Sequence, residues 1–106
     1  MSLFCPLGTH YRAFGKPRLG KSSVVFIHGV GLDLSLWQSQ VDALKAEYHI
    51  ITYDMIGHGL SPRAQTDIGL STLAKQLDNL LDYLKLKQVH LIGFSLGGLV
   101  AGVFAT

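Results

Sequence analysis

Three apolar runs, each leading into a glycine-rich turn, constrain this chain more than any other feature. Val24–Ile27 leads into His28-Gly29-Val30-Gly31. His49–Tyr53 leads into the segment holding Gly57-His58-Gly59. Val89–Ile92 leads into Gly93–Gly98. Continuous runs of β-branched and other apolar residues fit strands buried on both faces, as in a parallel sheet. Helical patterns lie between them. Ser35 and Gln38 have capping-box spacing and predict a helix whose Trp37, Val41 and Leu44 share one face. Ser71 is the expected cap of a second helix, where Leu73, Leu77, Leu80, Leu81 and Leu84 form a 3.6-period stripe that reads as core packing. From Leu96 to Thr106 the chain is apolar nearly all round, which reads as a helix buried inside a larger protein. Thr9–Phe14 adds a short strand, Gly15–Gly20 a turn, and Pro62–Gly69 a polar, turn-rich connection. Alternating strands and helices predict an α/β fold, a mostly parallel sheet with helices on both faces. In such sheets the chemistry collects at the carboxyl ends of the strands, where the three turns fall.

Length and charge exclude much else. The 106 residues suffice for one small domain, and 48% of them are hydrophobic, which suits a packed core. A net charge of +2 with no Lys/Arg cluster gives nucleic acid no footing. Cys5 is the single cysteine, so no intrachain disulfide forms. The first residues lack the pattern of a secretory signal, and no stretch approaches the roughly 20 apolar residues of a membrane span. A soluble, cytoplasmic protein is the expectation.

The segment Gly93-Phe94-Ser95-Leu96-Gly97 carries the chemistry. A serine hydroxyl attacks well only when it is exposed, oriented and deprotonated by a neighbour. A sharp strand-to-helix turn exposes and orients it, and close packing there demands glycine two residues to either side. Gly93 and Gly97 meet that demand. The helix that follows would offer unpaired N–H groups and a favourable dipole, so the Leu96 N–H is the expected donor to an oxyanion. A second donor must come from another loop. The Val30 N–H is the expected one, in a turn where Gly29 and Gly31 let the backbone approach a substrate closely. His28 reads as structural there, not as a base.

These segments together resemble the α/β-hydrolase family, and the likeness covers essentially the whole chain. His-Gly-x-Gly stands at His28–Gly31. A strand ending in Asp54 precedes Gly57-His58-Gly59-Leu60-Ser61. Gly-x-Ser-x-Gly stands at Gly93–Gly97. The resemblance implies Ser95 as nucleophile, Val30 and Leu96 as the oxyanion hole, and Asp54 with its glycines as a structural turn. It also implies a small-molecule acyl substrate (an ester, thioester, lactone or activated C–C bond), an acyl-enzyme on Ser95 and no cofactor. Many relatives carry Arg where Ile56 stands, so an ion pair from that position is absent. The family places its acid and its histidine after the serine. Here all five histidines and all seven acidic residues precede Ser95. The expectation is therefore an N-terminal portion, residues 1–106, ending in the helix after the nucleophile and inactive alone. Recruitment of His28 or His58 as base is the competing explanation.

Other motifs carry less. Gly15-Lys16-Pro17-Arg18-Leu19-Gly20-Lys21-Ser22 matches a phosphate-binding loop by letter, but a strand follows where the mechanism needs a helix. Gly29-Val30-Gly31 imitates a dinucleotide loop with Asp54 as ribose partner, but Leu34 occupies the third glycine position. The scattered histidines suggest no metal site. Trp37 and Phe94 are weaker candidates for lining an acyl pocket. A reading from another class is a ligand-binding or receptor domain of the same fold without turnover.

Overall fold

The computed structural model describes residues 3–63 and 68–105. Part of the Pro62–Gly69 connection, residues 64–67, lies outside the described residues, as does Thr106. The elements in chain order are β1 (Leu3–Phe4), β2 (His10–Phe14), β3 (Ser23–Ile27), a single 3-10 turn (Leu34–Trp37), α1 (Gln38–Leu44), β4 (Ile50–Tyr53), α2 (Leu70–Leu84), β5 (Val89–Gly93) and α3 (Leu96–Ala105).

The five strands form one sheet in the order β1-β2-β4-β3-β5. β4, β3 and β5 run parallel, with Val25 opposite both Ile51 and Leu91. β1 and β2 run antiparallel at the other end, with Tyr11 opposite Tyr53. The sheet is therefore mixed, with the parallel part at the three strands that lead into glycine turns. Every residue of β3 and β4 is buried, as their continuous apolar runs require.

Side chains alternate across these strands, so the core has two halves. Val25, Ile27, Ile51 and Tyr53 face α2 and α3 and meet Leu73, Leu77, Leu80 and Val100. Val24, Phe26 and Ile50 face α1 and meet Val41, Trp37 and Leu44. Helices thus cover both faces, and the leucine stripe of α2 is core. α3 is covered on one side only. Val100 is fully buried, whereas Leu99 is 58% exposed. Among the described residues β5 pairs only with β3, which leaves its outer edge open. No helix among them is long and apolar enough to cross a membrane.

Two expected helix caps are corrected. Asp33, not Ser35, caps the turn ahead of α1: its carboxylate accepts the Ser35 N–H at 2.9 Å. The short aspartate side chain reaches the N–H two residues on, and Ser35 falls inside the turn. Gly69, not Ser71, caps α2, with no side-chain cap bond. Its extended backbone ends the incoming loop, and Ser71 is already helical.

Candidate active site

β5 ends at Gly93 and α3 begins at Leu96, so two residues make the whole reversal. Ser95 sits at its tip with φ of 56°. That left-handed conformation is costly for a side chain bearing a Cβ, of order 1–3 kcal/mol. It holds Ser95 exposed above the sheet. Packing below explains the flanking glycines. A Cβ on Gly93 would overlap the backbone of Gly97 and Gly98, and one on Gly97 would overlap the Ile27 and His28 carbonyls. The turn is tied to β3 through the Phe94 N–H, which donates to the Ile27 carbonyl at 3.0 Å.

This packing brings the first glycine turn beside the serine. A Cβ on Gly29 would lie 3.1 Å from the Phe94 carbonyl oxygen and 3.4 Å from the Ser95 Cβ. Gly31 is required for a different reason, its φ of 76°. The Val30 and Leu96 N–H groups donate to no acceptor among the described residues. The Gly98 and Leu99 N–H groups turn back onto the Ser95 carbonyl and start α3.

His28 is fully buried, and its partners fix its tautomer. The Gly29 carbonyl can only accept, so Nδ1 carries the proton and donates to it at 2.7 Å. The Met55 N–H can only donate, so Nε2 accepts it at 2.9 Å. Burial holds the imidazole pKa below its usual value, against the opposing pull of the Gly29 carbonyl. Protonation would also place two donors face to face at Met55. The bond to Gly29 has a geometric consequence. Gly29 C=O and Val30 N–H belong to one planar trans peptide, so holding the oxygen sets the direction of the N–H. His28 is therefore held between the Gly29 carbonyl and the Met55 N–H. The Met55 contact left no trace in the sequence, because any residue can supply a main-chain N–H.

Three of the remaining histidines are engaged elsewhere. His58 Nδ1 bonds the Ile56 carbonyl at 3.0 Å. His49 shares a 2.7 Å bond with Ser23 at the opposite end of β3. His10 Nδ1 lies 2.6 Å from Asp54 Oδ2. No imidazole or carboxylate bonds the Ser95 hydroxyl among the described residues.

Asp54 is not poised for a ribose. It is buried, and its carboxylate accepts from His10, the Leu34 N–H and the Leu60 N–H. Its main-chain oxygen accepts from the Ser61 hydroxyl and the Gln76 amide. A Cβ on Gly59 would overlap the Asp54 carboxylate. The loop after Gly15 leads into strand β3, which leaves no helix N-terminus for a phosphate. The Trp37 ring stacks on Phe26 with centroids 4.7 Å apart and packs against the α1 half of the core, in line with its place on the Val41 and Leu44 face. Phe94 is 53% exposed next to the serine.

The comparisons with known proteins agree with this geometry. Residues 22–106 match the family model described as alpha/beta hydrolase fold. The chain is 39% identical over 79 residues to 3-oxoadipate enol-lactonase 1 of Acinetobacter baylyi, covering 74% of this chain and 29% of that protein. It is 35% identical over 88 residues to the human monoacylglycerol lipase ABHD6, covering 80% of this chain and 26% of that protein. The crystal structure of a hydrolase from Pseudomonas aeruginosa superposes with a TM-score of 0.84 at 30% identity, over 99% of this chain and 40% of that one. The chain thus spans less than a third of the length of these two curated relatives. A match of this extent, on a strand-serine-helix turn packed against a His-Gly-x-Gly turn, shows that the chain belongs to the α/β-hydrolase family.

Proposed function

We propose that Ser95 is the nucleophile of a serine hydrolase acting on a carboxylic ester, thioester, lactone or activated C–C bond. The observation that carries this reading is the strained, exposed Ser95 beside two main-chain N–H groups without acceptors. The hydroxyl oxygen would attack the acyl carbon while a base takes its proton. The carbonyl oxygen would become an oxyanion between the Val30 and Leu96 N–H groups, and its collapse would expel the leaving group. Water would then attack the acyl-Ser95 ester, release the carboxylic acid and restore the hydroxyl. One such donor is typically worth about 10²–10³ in rate.

No group among the described residues is placed to act as the base. We therefore assign the base and its acidic partner to sequence beyond this chain, and expect no meaningful hydrolysis from these residues alone. Without the base, oxyanion and binding contributions would leave about 10³–10⁴ over water. An enol-lactonase and a monoacylglycerol lipase among the relatives support ester-type chemistry without choosing the acyl group. The test is fluorophosphonate labelling of the longer protein that carries this chain, read by mass spectrometry. An adduct on the peptide holding Ser95, lost in Ser95→Ala, is expected. Absence of any adduct would overturn the assignment. A Ser95→Ala protein that keeps its full biological activity would instead favour a receptor-like role for the fold.

A further inference from the structure

A groove of about 490 Å³ lies between α2, the turn before β2 and the loop after β4, and shares no residue with the two turns beside Ser95. Its volume lies within the range of small-molecule sites. Leu7, Ile56 and Pro62 form an apolar wall, and Arg63 and Lys75 supply positive charge. Among the described residues none that lines it is acidic. Neither cation has an ion pair or hydrogen bond among the described residues, whereas Lys45 lies near Asp42 and Arg18 bonds the Ala46 carbonyl.

The groove is held open by packing at its rim. A Cβ on Gly8 would lie 2.8 Å from Pro62 Cγ, so the turn between β1 and β2 rests directly on the loop after β4. Below it, Gln76 is buried and fixed, accepting the Ile56 N–H at 3.0 Å and donating to Thr9 Oγ1 at 3.2 Å. The floor is thus satisfied while the charged rim is not. Leu7 remains 68% exposed beside it.

Unpaired cations beside an apolar wall select for a compact anion attached to an apolar body. An inorganic anion would leave the wall wet, and a neutral apolar molecule would leave both cations unanswered. We propose that this groove binds a medium-chain carboxylate, with its headgroup at Arg63 and Lys75 and its chain along Leu7, Ile56 and Pro62. The proposal does not rest on the hydrolase reading.

The test is titration of the 106-residue chain with octanoate, followed by amide chemical shifts. Saturable shifts at Leu7, Ile56 and residues 71–79 are expected, unchanged in a Ser95→Ala protein. Octanol and inorganic phosphate should each bind at least about tenfold more weakly, the scale of one charge-assisted hydrogen bond. Both cations are exposed, so an Arg63→Gln, Lys75→Gln double variant keeps its fold and should lose about tenfold in octanoate affinity. Shifts confined to residues 28–31 and 93–97 would overturn the proposal. So would octanol binding as tightly as octanoate, phosphate binding as tightly as octanoate, or an unchanged affinity in the double variant.

Discussion

Two glycine-rich turns stand at the carboxyl ends of the parallel strands β4 and β5, on either side of β3, and they use reactive residues in opposite ways. The turn after β4 gathers Asp54 and Ser61 with His10, an acid, a hydroxyl and an imidazole by type. All three are buried and bonded to one another or to nearby main chain. The turn after β5 holds a single reactive side chain. It leaves that hydroxyl exposed and two main-chain N–H groups nearby without acceptors. Residue type therefore does not mark the site. The first turn spends its polar groups on holding β2, β4 and α2 together, and the second leaves its hydroxyl exposed.

The largest expected effect comes from closing the packing beneath the serine turn. A Cβ at Gly97 has only the Ile27 and His28 carbonyls to push against, and neither can yield without separating α3 from β3. Gly97→Ala should cost about 4 kcal/mol, near the extreme for single substitutions. An unfolding free energy from urea titration within about 1 kcal/mol of the parent would show that the turn is looser than its contacts imply.

The opposing turn should break next. Asp54→Ala leaves the Leu34 N–H, the Leu60 N–H and His10 Nδ1 without their acceptor. Unsatisfied buried groups cost about 1–3 kcal/mol each. Leu60 is exposed enough for water to replace one bond, so a total of about 3 kcal/mol is expected. A near-neutral Asp54→Ala would mean that this turn is no more locked than the serine turn, and the contrast would fall.

His28 provides a smaller, pH-dependent test. Its pKa is lowered in the folded protein, so the unfolded chain binds more protons between the folded value and the ordinary histidine value of about 6.5. Stability should therefore be complete above that ordinary value and decline as pH falls below it. His49, also lowered by burial, acts in the same direction. His28→Gln removes one of the two contributions, so denaturant midpoints measured from pH 7.5 to 5 should fall less steeply. An unchanged slope would mean that His28 titrates alike in the folded and unfolded chain and does not hold the Gly29 peptide as described.

How much of this was legible beforehand follows from which interactions are local. The three strands, the leucine stripe and the serine turn depend on residues within a few positions of each other, and their patterns survive in one dimension. The β3 and β4 runs were readable because a strand buried on both faces has no polar alternative. The cap at Asp33 was obscured because Ser35 and Gln38 offered a competing local pattern. Trp37 was legible as sharing a face with Val41 and Leu44, but a ring near a strand end can turn either way, and only the Phe26 stack shows what it packs against. The union of His10, Asp54, Ser61 and Gln76 joins His10 to Asp54 across 44 positions, His10 to Ser61 across 51 and Gln76 to Asp54 across 22. No spacing rule finds such a set. The antiparallel pairing of β2 with β4 was likewise a long-range choice.

The smallest expected effect sharpens the comparison most. Ser95 and Lys85 are the two non-glycine residues with positive φ among the described residues, at 56° and 60°. Lys85 closes α2 in the left-handed C-cap position and touches no reactive site. Glycine at either position relieves a steric cost of roughly 1–2 kcal/mol and adds an entropic one of roughly 0.5–1. Ser95→Gly and Lys85→Gly should therefore each stabilise the chain, by about 0.5–1 kcal/mol. Equal gains would show that the backbone at Ser95 is strained as an ordinary helix cap is strained, with no further support from its surroundings. The difference between the two positions would then lie in what the strain holds. At Lys85 it ends a helix, and glycine could replace it without loss. At Ser95 it lifts a hydroxyl clear of the sheet, and the more stable glycine protein should take up no fluorophosphonate in the longer protein. If Ser95→Gly were instead destabilising while Lys85→Gly was not, the hydroxyl would be holding the turn together, and the serine turn would resemble the locked turn after β4.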